Sequence, residues 1–454
     1  MSVSRVFAQA ALLPSGWSHD VTIDIAGDSI VAVTADSLSQ KGDSVVGTII
    51  PGMPNVHSHA FQRAMAGRTE RAGSSGDNFW AWRELMYRFL TRISPEDCEA
   101  IATQLYIEML KAGYTSVAEF HYLHHDEHGL PYANPAQMME HIVSAATTAG
   151  IGLTLLPVFY AHANFGGAPP NAGQARFITD PEQFNRLLAV ARGYPVRRLG
   201  IAPHSLRAVT PEELAAIIGH LNSFDPSAPI HIHAAEQQKE VDDCLAWCQR
   251  RPVAWLMDHA EVDSRWCVVH ATHVDADEIV RLAKARATVG LCPSTEANLG
   301  DGIFNAPAYF AARGCWGIGG DSHVGVDPFR ELALVEYAQR LTQRRRNILH
   351  TDGISAIGAG LYRQALAGGA RALGQNVGAI AVGQRADVLV LNTDDAALAE
   401  HEGDSLLDAA IFGPTRHPVK DVMVGGRWVV LDGHHALDDG ANQRYRATLK
   451  RLLH

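Results

Sequence analysis

"PGMPNVHSHAFQRAMAG", Pro51 to Gly67, places two histidines one residue apart at the end of an apolar run. On a β-strand, residues i and i+2 point to the same side. His57 and His59 can therefore aim both imidazoles at one point, and the rest of the chain decides whether that point is a site.

Seven further runs repeat the pattern of an apolar start and a polar end: "TSVAEFHY" (115–122), "GLTLLPVFY" (152–160), "RLGIAPHS" (198–205), "PIHIHAAE" (229–236), "RWCVVHATH" (265–273), "ATVGLCPST" (287–295) and "WGIGGDSH" (316–323). With "PNVHSH" at 54–59 they make eight. Helix starts lie between them. "SPED" at Ser94 and "TPEE" at Thr210 combine an N-cap hydroxyl, a proline in the first turn and a carboxylate three residues after the cap, and "DPEQ" at Asp180 is a looser version. Eight strand–helix units predict an α/β fold, a closed (β/α)8 TIM-like barrel over residues 51–383, with its site at the strands' C-terminal ends. A doubly wound sheet is the competitor, but no Gly-x-Gly-x-x-Gly follows the first strand.

The two ends read differently. Residues 1–50 and 384–454 show short alternating patterns, as in "HDVTIDIAGDSIVAVTA", "RADVLVLNT" (385–393) and "VKDVMVGGRWVVLDG" (419–433). These predict antiparallel strands with turns at Gly27-Asp28 and Gly425-Gly426. Two such segments flanking a barrel are expected to combine into one small β-sandwich domain.

Composition narrows the function class. The chain has 454 residues, 47% of them hydrophobic and 19% charged, as in a globular enzyme. No apolar run is long enough for a transmembrane helix, and the N-terminus lacks the layout of a signal peptide. The formal net charge is −11, and the only basic run is "QRRRN" (343–347), read as the polar face of a helix. Nucleic-acid binding would need a larger basic footprint. Six scattered cysteines without zinc-knuckle or C-x-x-C spacing read as reduced thiols of a cytoplasmic protein.

The polar strand ends form a constellation. Strand one ends in His57 and His59, strand five carries His233 and then Glu236, strand six carries His270, and strand eight ends in Asp321. Imidazoles and a carboxylate converging at one barrel mouth suit Zn²⁺ or a similar borderline divalent ion.

"PGMPNVHSHAFQR", "HIHAAEQ", "VVHATH" and "GGDSH" resemble the metal motifs of the amidohydrolase superfamily, and the resemblance runs over nearly the whole chain. Within it, "DNFWAWRELMYRF", "EFHYLHH", "APHSLRAVTPEEL", "HIHAAEQQKEVDDC" and "CPSTEANLGDGIF" resemble the formimidoylglutamate deiminase branch of histidine degradation. The resemblance implies that His57, His59, His233 and Asp321 are metal ligands, with Glu236, His270 and Asp321 handling protons. Relatives with two metals bridge them with a lysine or glutamate near the end of strand four. That strand here ends "GIAPHS", with no lysine, so one divalent metal is expected, zinc ahead of iron or manganese.

Such an ion with an open position lowers the pKa of bound water to about 7. Glu236 can then protonate the leaving nitrogen. Arg83 and Arg207, near the same barrel face, suit the two carboxylates of a small dianionic substrate. With Gln62, Tyr122 and His204 they are the residues the resemblance assigns to N-formimino-L-glutamate. Phe79, Trp80 and Trp82 are expected to pack a helix face. His121, His124, His125 and His128 are expected in a loop, a lid among its uses, and His323 is a candidate to orient a ligand. Glu296 receives no role. The alternatives are a deaminase acting on a purine or S-adenosylhomocysteine-type ring and, more remotely, a non-catalytic scaffold. A homodimer is what the resemblance suggests.

Overall fold

The computed structural model describes residues 3–70, 79–413 and 416–453; the side chains of Phe79 and Trp80 lie outside the described residues. The N-terminal segment forms β1 (Val3–Leu13), β2 (Gly16–Ala26), β3 (Ser29–Thr34) and β4 (Ser44–Pro51). Next come β5 (Met53–Ser58), β6 (Tyr114–His121), β7 (Gly152–Phe159), β8 (Arg198–Leu199), β9 (Ala202–Pro203), β10 (Ile230–Ala234), β11 (Trp266–His270), β12 (Thr288–Leu291) and β13 (Cys315–Ile318). The chain ends in β14 (Val388–Leu391), β15 (Val419–Val424), β16 (Arg427–Leu431) and β17 (His434–His435), followed by the helix Asp438–Leu453.

Each of the eight polar-ended runs forms a strand, and the fourth is split into β8 and β9. These strands are parallel, in the order β5-β6-β7-β8 with β9 on β7, and β10-β11-β12-β13. The expectation of a closed ring is corrected here: among the described residues, the two sheets meet at single bridges. At one seam these are Ile201 with Ile230 and Ser205 with His233, and at the other Ser58 with Asp321. At the first seam Pro203 and Pro229 supply no N–H for a continuous ladder. At the second, β13 ends at Ile318, and the His57 carbonyl accepts the N–H groups of Gly320 (3.1 Å) and Asp321 (3.0 Å).

The expected helix starts are present. Ser94 and Thr210 each form a capping box with the residue three further on, Asp97 and Glu213, and the Asp180 side chain accepts the N–H of Gln183. "QRRRN" departs from expectation: the helix Pro328–Gln343 ends at its first residue, and Arg344 takes a left-handed φ of 54°. Its arginines sit just past a helix C-terminus, where positive charge complements the exposed carbonyls.

The terminal segments join into one eight-stranded sheet, β17-β16-β15-β14-β4-β1-β2-β3, with β14 antiparallel to β4. One pairing corrects the all-antiparallel expectation: β1 runs parallel to β4, because the hairpin β2–β3 intervenes between them in sequence. Both expected turns occur. Gly425 and Gly426 have φ of 55° and 75°, the mirror-image turn that matches strand twist and favours glycine. Val6, Ile23, Ile49, Ile380, Val388 and Met423 share an apolar core within this sheet, separate from the larger core around the parallel strands. Among the described residues, no helix is long and apolar enough to cross a membrane.

A candidate metal and proton-transfer centre at the strand ends

β5, β10 and the segment after β13 bring four side chains to one point. His57 Nε2 lies 3.1 Å from His59 Nε2 and 3.0 Å from His233 Nε2. Asp321 Oδ1 lies 3.5 Å from His57 Nε2 and 3.4 Å from His59 Nε2. One ligand atom from each of the four falls within 4.8 Å of the others, and all four residues are buried.

The outer nitrogens fix the tautomers. His59 Nδ1–H donates to the Phe120 carbonyl (2.9 Å) and His233 Nδ1–H to that of His204 (3.0 Å), so both Nε2 lone pairs point inward. Burial, reinforced by neighbouring imidazoles, holds His57 and His233 well below the usual histidine pKa; burial also lowers His59, against the pull of Asp321. Neutral nitrogens crowded this closely cannot satisfy one another as donors. They fit the edges of a tetrahedron around a cation, which at zinc–nitrogen lengths of about 2.0–2.1 Å are roughly 3.3 Å.

Beside the quartet sits a pair suited to proton transfer. His270, at the end of β11, turns Nε2 toward Asp321 Oδ2 (3.7 Å) and Glu236 Oε1 (3.8 Å). Burial acting alone would lower the pKa of His270, but Glu236, Glu296 and Asp321 outweigh it and raise it to about 10. Burial raises Glu236 to about 7, against the opposing charges of His270 and Arg207. Ala235, His270, Ala271, Asp321 and His323 all have φ between 50° and 67°. The left-handed turns that end these strands are costly for side-chain-bearing residues and recur at functional sites.

Two residues position this pair: Glu296, which the sequence reading left without a role, and Glu240, which it passed over. Glu296 accepts the Nδ1–H of His270 at 3.1 Å. Glu240 accepts the backbone N–H groups of Ala235 and Glu236, both at 3.1 Å, and so fixes the strained turn that carries the acid. The only signal was spacing: Glu240 stands four residues after Glu236, and Glu296 four after Cys292.

A cavity opens above the quartet, bounded by His59, His233, Asp321 and Glu236. Gln62, Arg83, Tyr122, His204 and Arg207, the five expected substrate contacts, all line it. Gln62 Nε2 donates to the Tyr122 hydroxyl (2.7 Å), which donates to Met86 Sδ (3.3 Å). The Arg207 Nη2 lies 3.8 Å from Glu236 and 4.0 Å from Glu240, which places its guanidinium beside both carboxylates. Trp82, expected only to pack, lines the cavity, as do Tyr87, Tyr160 and Phe177, which the sequence reading passed over.

The histidine cluster is not a lid. His121, His124 and His125 are buried, and each Nε2–H donates to a backbone carbonyl, of Leu123, Val158 and Ile178; His128 is exposed. His323 acts on the ligands indirectly. Its Nε2–H donates to Ser58 Oγ (2.9 Å), between the two ligands of β5, and Ser58 donates to the buried Glu119 (2.5 Å).

The profile of the amidohydrolase family matches residues 48–429, and that of the formimidoylglutamate deiminase HutF N-terminal domain matches residues 3–46. A formimidoylglutamate deiminase of Pseudomonas aeruginosa is 53% identical, across 99% of this chain and 100% of that protein. A 5-methylthioadenosine/S-adenosylhomocysteine deaminase of Natronomonas pharaonis is 27% identical, across 94% of this chain and 91% of that protein. The crystal structure of an amidohydrolase from Brucella melitensis superposes with a TM-score of 0.94 at 48% identity, across 99% of this chain and 100% of that one.

Proposed function

Because the chain belongs to the amidohydrolase family, we propose that it is a deiminase of histidine degradation. It hydrolyses the C=N bond of N-formimino-L-glutamate, giving N-formyl-L-glutamate and ammonia. The observation that carries this reading is one cavity lined by His59, His233 and Asp321 of the quartet and by two guanidinium groups, Arg83 and Arg207.

We take the resident ion to be zinc, held by that quartet, which fits its donor preference and tetrahedral spacing. When bound, it supplies Lewis acidity and a water activated near neutral pH. The chain's own residues do the rest. Arg83 and Arg207 hold the two carboxylates, which sets the formimino carbon over the quartet. Asp321, with Oδ1 toward the imidazoles and Oδ2 toward His270, takes the proton lost as water adds to that carbon. Glu236, with its raised pKa, carries a proton to the nitrogen that departs as ammonia. In the same reading the two parallel sheets act as one (β/α)8 barrel over residues 51–383. Residues 1–50 and 384–454 form a composite β-sandwich, and the buried free thiols Cys98, Cys244, Cys267 and Cys292 suit the cytoplasm.

A purine ring is the competing substrate class, and the aromatic lining of the cavity would accept one. Paired arginines favour a dicarboxylate over it, since a neutral ring offers neither guanidinium a carboxylate to bind. Ammonia release from N-formimino-L-glutamate, from its one-carboxylate analogue and from adenine and guanine nucleosides decides between them. Turnover is expected for the dicarboxylate, and preferential turnover of a nucleoside would overturn the assignment.

A further inference from the structure

The helix Phe79–Leu90 brings Arg83, Met86 and Tyr87 to the cavity wall, and its far end is fastened by a residue outside that wall. Arg176 is buried, and among the described residues no carboxylate forms an ion pair with it. Its guanidinium meets backbone carbonyls instead. Nε–H donates to His125 (2.9 Å), and Nη1–H donates to Ile93 (2.9 Å) and to Leu90. A buried cation is costly unless hydrogen bonds compensate it. Leu90 closes the helix, where the last carbonyls lack intrahelical partners and positive charge is favoured. The Arg176 carbonyl in turn accepts the N–H groups of His124 (2.9 Å) and His125 (3.1 Å).

Arg176 thus joins three segments that each supply part of the cavity: the helix with Arg83, the chain after β6 with Tyr122, and its own segment with Phe177. Their rings interlock above it. Phe177 meets Tyr122 edge-on at 4.9 Å between centroids and Tyr87 at 5.9 Å, and the Arg83 guanidinium lies 5.7 Å from the Tyr87 ring. Gly173 supports the same helix: a Cβ there would meet Tyr87 Cδ2 at 2.5 Å and its Cβ at 3.1 Å. Arg207 comes from the chain after β9 and is placed independently, beside Glu236 and Glu240.

We propose that Arg176 is a positioning residue for carboxylate recognition: it fixes the helix Phe79–Leu90 so that Arg83 stands at a set reach from Arg207, and so selects dicarboxylates by chain length. This rests on the reading of Arg83 and Arg207 as the carboxylate-binding pair. A rigidly held planar fork accepts a carboxylate at one distance and orientation, so a shorter substrate cannot engage both guanidinium groups.

Steady-state constants for N-formimino-L-glutamate and the shorter N-formimino-L-aspartate, on wild type, Arg176→Met, Arg83→Met and the double variant, test this. Wild type should prefer the glutamate derivative. Arg176→Met should raise its KM by about tenfold or more, with kcat little changed, and narrow the preference. The double variant should match Arg83→Met alone, because the effect passes through that guanidinium. Arg176→Lys, which keeps the charge and loses the fork, should fall between Arg176→Met and wild type. If Arg176→Met fails to fold, Gly173→Ala, which presses on Tyr87, should raise KM in the same way and lose that effect when Arg83 is Met. A wild type blind to chain length, additive losses in the double variant, or a loss confined to kcat overturns the proposal. Failure of wild type to turn over either compound overturns the functional assignment instead. Hydrogen exchange then still reads the anchoring: faster exchange at 83–93 in Arg176→Lys than in wild type supports it, and equal exchange overturns it.

Discussion

The Nδ1–H of His270 donates to Oε1 of Glu296 at 3.1 Å, and the same oxygen accepts the backbone N–H of Cys292 at 2.8 Å. The imidazole is thereby held in one tautomer, with Nε2 turned to the reacting centre. Glu296→Ala should lower kcat by about 10–100-fold, the usual cost of removing a partner that orients a working histidine, with little change in KM. Glu296→Gln keeps an acceptor and should recover part of the loss. A larger change in KM than in kcat would show that Glu296 acts on substrate instead.

Arg207 and Arg83 should separate kinetically. Replacing either with Met removes a charge-assisted contact worth about 1.5–3 kcal/mol. That corresponds to a KM for N-formimino-L-glutamate higher by about 10–100-fold. The one-carboxylate analogue should feel at most one of the two changes. Arg207→Met should also alter kcat, because its guanidinium lies 3.8 Å from Glu236. Steady-state constants for both substrates check this, and equal effects on both would remove the arginines from carboxylate recognition.

Metal retention should resist acid. His57 and His233 are held well below the usual value of 6.5 by burial, so both stay neutral, with lone pairs available, as pH falls through that value. A depressed pKa moves proton competition to lower pH. Metal content measured after dialysis should therefore remain at one equivalent from pH 7.5 to below 6.5. Loss that tracks an ordinary imidazole titration would contradict the assigned environment.

Gly368 marks the closest packing of the helix Ile357–Leu373 on β13. A Cβ there would meet the Trp316 carbonyl oxygen at 1.8 Å and its carbon at 2.4 Å, backbone atoms that cannot swing aside. Gly368→Ala should cost about 1–3 kcal/mol or more, as overpacked cores do. Thermal unfolding compared with Gly219→Ala, an open position in another helix, isolates the clash.

The quartet was legible because its chemistry sits on strand ends, where a buried apolar run stops at a polar residue. His57, His59, His233 and Asp321 follow that rule without exception. Glu240 and Glu296 do not. Their partners are backbone N–H groups and a ring nitrogen brought near by turns, and a carboxylate on the first turn of a helix looks the same whether it caps that helix or supports a catalyst. Trp82 and Met86 were invisible for a related reason: a helix face reads alike whether it meets a core or a cavity. The parallel pairing of β1 with β4 lay beyond alternation patterns, which specify faces and not strand direction.

The His57 carbonyl spans the seam between β5 and the segment after β13, accepting the N–H groups of Gly320 and Asp321, and the same residue presents Nε2 to the quartet. During synthesis, then, a nascent polypeptide emerging from the ribosome owns two or three of the four donors long before the fourth exists. Cation capture should come late, after residue 321 has reached residue 57, so that occupancy certifies a finished protein in the cell. A chain truncated short of that point would be both apo and open at the seam.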